Sequence, residues 1–188
     1  SVVFGTIKKN ETQAFAHMFK NQQITLDPKT PYNFFATGVS LVIHPKNPFV
    51  PTTHANFRYF EITNTPTPIW WFGGGADLTP YYLFKEDAIH FHKELKKSCG
   101  TFDKTYYPTF KKDCDDYFYL PHRNEHRGIG GIFYDYLKDK NQETLLKFTE
   151  SNTKAFINAY IPIVKKRKET PFNDLHKKWQ KIRQGRYV

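Results

Sequence analysis

Gly38-Val39-Ser40-Leu41-Val42-Ile43-His44 and, one loop later, His54-Ala55-Asn56-Phe57-Arg58-Tyr59-Phe60-Glu61-Ile62 are the stretches on which the fold turns. Both are rich in β-branched and aromatic residues, and His44-Pro45-Lys46-Asn47-Pro48 breaks the chain between them. Residues two apart in a strand share a face. That parity puts Ser40, Val42 and His44 together on the first strand, and His54, Asn56, Arg58 and Phe60 together on the second. Imidazole, amide and guanidinium on one strand face mark either a solvated outer surface or a binding surface, and the pattern alone leaves both open.

Working outward, Val2–Ile7 is a short β-like run, and Asn10 caps a short helix predicted to reach Phe19. Loop residues run up to Thr37. After a Thr65-Pro66-Thr67-Pro68 turn, residues 69–72 form a third strand entering Gly73-Gly74-Gly75. The hydrophobic period then changes to that of helices. Residues 86–98 place Ala88, Phe91 and Leu95 on one face, and residues 107–119 place Phe110, Cys114, Tyr117 and Phe118 on one side, with Pro108 in the first turn. Residues 130–136 are strand-like, and residues 143–164 are helical with Pro162 as a kink or stop. Leu175, Trp179 and Ile182 define a last helix capped by Gly185, and Arg186-Tyr187-Val188 reads as the start of a further strand. Strands early, long helices late and no βαβ alternation predict an α+β fold, a large antiparallel sheet flanked by helices on both faces.

The chain has 188 residues, enough to bury roughly 70% of its extended-chain surface in one domain. Eighteen Phe, 12 Tyr and 3 Trp exclude a disordered polymer. Two cysteines, Cys99 and Cys114, are too few for a disulfide framework or a thiolate zinc site, which points to a reducing compartment. No apolar run approaches the roughly 20 residues of a transmembrane helix, and the N-terminus lacks the features of a signal peptide. The net charge of +10 calls for an anionic partner without naming it.

Three constellations carry the chemistry. The first is the strand face already described. The second is Trp70-Trp71-Phe72-Gly73-Gly74-Gly75-Ala76-Asp77-Leu78-Thr79-Pro80-Tyr81-Tyr82, where the glycines permit either a sharp turn, with Asp77 bonded locally, or close approach to a ligand. It is not a phosphate loop, because no Gly-Lys-Ser/Thr follows. The third, His122-Arg123-Asn124-Glu125-His126-Arg127-Gly128-Ile129-Gly130-Gly131, packs charge between a helix and a strand, as a binding loop or a solvated connection would. His44, His54, His92 and His122 are candidate metal ligands, although no spacing is a zinc signature. His90 and His92 cannot face the same way on a helix, and His17 and His176 carry no assignment. The runs Lys165-Lys166-Arg167-Lys168 and Lys177-Lys178 read as a solvated side or as a nucleic-acid surface without a recognised motif.

Together these segments resemble the oxygen-dependent coproporphyrinogen III oxidases of haem biosynthesis. The likeness runs in the family's order through residues 34–45, 54–61 and 70–82, Tyr106-Tyr107-Pro108, Tyr117-Phe118-Tyr119, residues 122–133, Tyr160-Ile161-Pro162-Ile163-Val164 and Arg186-Tyr187-Val188. The resemblance implies oxidative decarboxylation of two propionates of coproporphyrinogen III to vinyl groups, giving protoporphyrinogen IX, with O2 as oxidant and no organic cofactor. A divalent metal is implied only as a candidate, held by His44, His54, His92 and His122. It implies His54, Asp77 and Arg58 as catalytic residues, His54 as the proton donor and Asp77 as the carboxylate that gathers the pyrrole N–H donors. Ser40, Asn56, Phe57, Arg58, Asp77 and Arg127 are the implied substrate contacts. It further implies a homodimer in the cytoplasm, or in the mitochondrial intermembrane space of a eukaryote, with no nucleic-acid partner. Residues 1–188 then form a single catalytic domain lacking N-terminal helices and C-terminal strands found in the family. A histidine-based metal hydrolase and a basic, aromatic nucleic-acid-binding module are the alternatives.

Overall fold

The computed structural model describes residues 1–8, 26–27 and 29–187. Its elements are β1 (Val2–Ile7), β2 (Tyr32–Ile43), β3 (Thr52–Ile62), β4 (Ile69–Thr79), α1 (Lys85–Phe102), α2 (Tyr106–Tyr117), β5 (Tyr119–Leu120), β6 (Glu125–His126), β7 (Gly130–Leu137), α3 (Gln142–Arg167) and α4 (Asp174–Gln184). β1, β2, β3, β4 and β7 lie side by side in that order as one antiparallel sheet, and β5 pairs with β6 as a small hairpin. The expected α+β architecture is the observed one, but among the described residues α1, α2 and α3 all pack on one face of the sheet rather than on both. The predicted helix after Asn10 lies outside the described residues.

Strand alternation separates two faces. Ala55, Phe57, Phe72, Ala76, Leu78, Ile132 and Tyr134 point to one side, where they meet Phe91, Leu95, Cys99, Phe110, Phe148, Phe156 and Ile163 from α1, α2 and α3 in the main core. Each fully buried large side chain there is worth about 1.5–3 kcal/mol of transfer free energy. On the opposite side, Ile62, Phe60, Trp71 and Tyr136 form a second apolar cluster at one end of the sheet, with Phe60 stacked on Trp71 at 4.5 Å between centroids. The other end of that face is polar. α4 runs past the strand ends, where Trp179 Nε1 donates to the Tyr81 carbonyl, and Gln184 Nε2 donates to the Tyr81 hydroxyl.

Three expectations are corrected. Gly73-Gly74-Gly75 is not a turn: β4 runs straight through it, paired to β3 from Ile69 to Thr79. A Cβ on Gly75 would stand 2.6 Å from the Ile132 carbonyl of β7, so crowding between neighbouring strands is what glycine relieves here. Pro162 does not stop its helix, which continues to Arg167. Proline cannot donate to the carbonyl four residues back. That carbonyl, on Asn158, accepts instead from His90 Nε2 on α1 at 3.1 Å. Arg186 and Tyr187 do not begin a strand but turn back on the end of α4, their N–H groups donating to Arg183 and Gln184. Cys99 and Cys114 are buried free thiols, as small hydrophobes in their helices.

Candidate active site

Register places the polar residues. His54 of β3 lies directly opposite Asp77 of β4, Asn56 opposite Gly75, and Arg58 opposite Gly73. On the outer side, Ser40 of β2 faces Asn56, and on the inner side Gly131 of β7 faces Asp77. Directly opposed side chains in antiparallel strands stand about 5 Å apart, within hydrogen-bond reach of one another. One face of three adjacent strands therefore carries His54, Asn56, Arg58, Ser40 and Asp77 over a floor of glycines.

Asp77 is the centre. It is 3% exposed, and both its oxygens are engaged. His54 Nδ1 donates to Oδ1 at 2.8 Å, and Arg127 Nη2 donates to Oδ2 at 2.7 Å. A carboxylate only accepts, so the His54 tautomer carries its proton on Nδ1 and leaves Nε2 for other partners. Arg127 enters from the loop before β7, a loop tied down where Ile129 N–H donates to the Leu78 carbonyl. Its guanidinium lies between two aromatic rings, 3.7 Å from the Phe118 centroid and 4.4 Å from that of Tyr187. Phe118 in turn meets the His54 ring edge-on at 5.8 Å. Burial pushes the Tyr187 phenol up to about 12, so it is a neutral wall of the site.

Arg58 sits one step along the face. Its Nη1 donates to Asn56 Oδ1 at 3.2 Å, and its Nη2 pairs with Asp135 Oδ2 at 2.8 Å. Asp135, Phe118 and Tyr187 are site neighbours to which sequence reasoning gave no role. Alternation in β7 was the signal for Asp135, since Gly131, Phe133 and Asp135 are two apart and lie opposite the core residues Ile132 and Tyr134. No local pattern marks Phe118 or Tyr187, which reach the site through tertiary packing.

The remaining candidates divide. Ser40 is exposed on the same face. Phe57 is corrected: strand parity sends its side chain into the helix-packed core at 5% exposure, so it cannot touch a ligand on the His54 side. The four-histidine metal set is also corrected. His44 Nδ1 contacts Thr52 Oγ1, and His122 is exposed in a short 3₁₀ turn. His92 Nε2 donates to the Ile129 carbonyl while its Nδ1 accepts from the Tyr107 hydroxyl. That ring braces the loop carrying Arg127, and desolvation lowers its pKa. Among the described residues no three His, Cys, Asp or Glu side chains converge to hold a metal ion. Among the described residues the four histidines therefore do not gather as a divalent-metal site, and the metal hydrolase reading loses these ligands. The basic run 165–168 is partly spent inside the fold, with Arg167 Nε donating to Asp87 Oδ2 at 2.8 Å.

Among the described residues no helix is long and apolar enough to cross a membrane. The coproporphyrinogen III oxidase family model matches residues 1–188. The chain is 50% identical to the chloroplastic oxygen-dependent coproporphyrinogen-III oxidase of Hordeum vulgare, over 100% of its own length and 49% of the relative's. It is 58% identical to the oxygen-dependent coproporphyrinogen-III oxidase of Francisella tularensis subsp. holarctica, over 83% of its own length and 51% of the relative's. The chain thus spans about half the length of the curated relatives it matches. A glycine-floored sheet face with His54, Asp77, Arg127 and Arg58 in register, and a family match along the whole chain, lead to one conclusion: the chain belongs to the coproporphyrinogen III oxidase family.

Proposed function

We propose that this chain carries the reaction face of an oxidase that converts two propionates of coproporphyrinogen III to vinyl groups. For each propionate the carboxylate leaves as CO2, a hydrogen is lost from the β-carbon, and O2 takes up two electrons and two protons to give hydrogen peroxide. The observation that carries the reading is the His54–Asp77–Arg127 cluster beside Arg58 on one open sheet face.

The substrate has carboxylates at its rim and pyrrole N–H donors at its centre. Arg58 meets the first need, since a charge-assisted bond to a carboxylate contributes about 1.5–3 kcal/mol net. The His54–Asp77 pair meets the second: with Nδ1 donating to Asp77, His54 Nε2 is left to accept from a pyrrole N–H, and the Asp77 carboxylate supplies the negative charge behind it. Because Asp77 is buried behind His54 and Arg127, the imidazole is the member of the pair nearest an incoming macrocycle. His54 moves the proton, and Asp77 fixes its tautomer and balances positive charge that develops on the ring during oxidation. Ser40 and Asn56 offer neutral hydrogen bonds along the same face. The chemistry assigned to these residues needs neither a metal nor an organic cofactor. The homodimer and the cytoplasmic location implied by the resemblance belong to this reading; two buried free thiols agree with a reducing compartment.

Product analysis tests it. The protein carrying this chain is incubated with coproporphyrinogen III under air and under nitrogen, and porphyrins are separated after oxidation. Protoporphyrin formed only under air, lost in Asp77→Ala and reduced but measurable in Arg58→Ala, is the expected result. Full turnover in both variants overturns the assignment.

A further inference from the structure

The Arg58 guanidinium does not hang free over the sheet. Its path crosses β4 at Gly73, where a Cβ would stand 2.7 Å from Arg58 Nε and 2.8 Å from Asp135 Oδ1. Any side chain at that position would occupy the space through which the two groups meet. The ion pair thus spans three strands, from β3 over β4 to β7, and closes at 2.8 Å between Nη2 and Oδ2.

The far end of this bridge is built irregularly. The β4–β7 pairing shifts register between Phe72 and Gly74, and Tyr136 sits at φ 54°, in the left-handed region that a bulky aromatic residue rarely enters. The Tyr136 N–H donates to Asp135 Oδ1 at 2.9 Å. A β-bulge re-aims a side chain at the expense of regular pairing, and such backbone strain persists only where surrounding structure holds it. Here the bulge turns one Asp135 oxygen to the backbone and presents the other to Arg58. Asn56, on the strand of Arg58 itself, fixes the other arm of the fork.

We propose that Asp135 is the positioning residue for Arg58: its carboxylate, aimed by the Tyr136 bulge across Gly73, holds the guanidinium flat against the sheet with its remaining N–H donors presented to a substrate carboxylate. This rests on the oxidase reading for the identity of the carboxylate, though not for the positioning itself. Arg58 and Asp135 side chains are 38% and 27% exposed, so the pair lies where a ligand can reach it. Asp135 touches no reacting atom and acts through Arg58. Its negative charge also lowers the net attraction of Arg58 for an anion, so it trades some affinity for orientation.

Asp135→Asn tests this, because asparagine keeps an acceptor for the Tyr136 N–H and removes only the charge. In 1H–15N spectra of the folded protein, the Arg58 Nε–H resonance, assigned by its loss in Arg58→Lys, is expected to broaden or exchange faster in the variant. In steady-state turnover of coproporphyrinogen III under air, Asp135→Asn is expected to lower kcat about tenfold with KM unchanged or reduced. Asp135→Asn added to Arg58→Ala is expected to cost nothing further. An unchanged Arg58 resonance, or a cost that adds in full to that of Arg58→Ala, overturns the proposal. A wild-type protein that neither binds coproporphyrin III nor turns over coproporphyrinogen III refutes the oxidase reading, while the Arg58 resonance still decides the positioning.

Discussion

Asp77 and Arg127 are the most tightly held charges of the face, with side chains 4% and 11% exposed and the guanidinium stacked between Phe118 and Tyr187. Two consequences follow from that burial. Removing one partner of a buried pair leaves the other uncompensated, which costs about 3–5 kcal/mol. Asp77→Ala is therefore expected to lower the midpoint of urea unfolding as well as abolish turnover; a variant as stable as wild type would mean that Arg127 finds water when its partner is gone. Arg127→Lys probes the stack separately. Lysine keeps the charge and loses the planar group that lies against two rings, a contact worth about 0.5–2 kcal/mol. Turnover is expected to fall about tenfold while coproporphyrin III still binds, and wild-type turnover would show that charge alone suffices at this position. At this scale the sequence was informative wherever a residue's role depends on strand parity, as for His54, Asn56 and Arg58. It was silent on Tyr187, whose ring reaches Arg127 from beyond α4.

The glycines of β4 show where reading by element falls short. Locally, three glycines in a row favour a turn, because glycine loses the most backbone entropy in a strand. What keeps them in the strand is crowding from β3 and β7, which only the assembled sheet reveals. Gly73→Ala is expected to displace Arg58 from Asp135 and reduce turnover at least as much as Asp135→Asn, with little change in unfolding midpoint. Gly100 on α1 is the control: nothing stands within 4 Å of an added Cβ, and Gly100→Ala is expected to stabilise the helix by about 0.5–1 kcal/mol with wild-type turnover. Helices were legible from their 3.6-residue period, whereas Pro162 misled because the compensating donor, His90, lies on another helix. His92, first considered as a ligand, gives this scale a pH signature. Desolvation lowers its folded pKa below the ordinary value of 6.5, so the unfolded chain binds the proton first. Its contribution is complete above pH 6.5 and is lost as pH falls below that value toward the folded pKa. The thermal midpoint of wild type is expected to drop more steeply than that of His92→Gln between pH 7 and 5. Parallel curves would remove His92 from the acid response.

At the scale of the whole chain, charge separates into a local and a long-range part. The formal net charge is +10, yet the two arginines of the site face are each paired with an aspartate, Arg58 with Asp135 and Arg127 with Asp77. The basic composition points to an anionic partner and does not distinguish nucleic acid from a tetracarboxylate; the register of β3, β4 and β7 places a buried carboxylate among the cations, and the proposed reading rests on that arrangement. Length was less informative, because 188 residues suffice for a domain while the relatives extend to about twice that span. The two parts of the charge respond differently to salt. Exposed lysines attract an anion over distances comparable to the Debye length, about 8 Å at physiological ionic strength, and so act on the encounter rate. Contacts to Arg58 form within hydrogen-bond distance and are screened much less, so they act on dissociation. Stopped-flow fluorescence of coproporphyrin III binding is therefore expected to show an association rate that falls several-fold between low salt and 0.5 M salt, with a dissociation rate that barely moves. Arg58→Ala is expected to reverse the weighting, raising dissociation about tenfold while leaving the salt dependence of association intact. If dissociation instead carried the salt dependence in wild type, the exposed lysines would be holding the ligand themselves, and the sheet face would not be its seat.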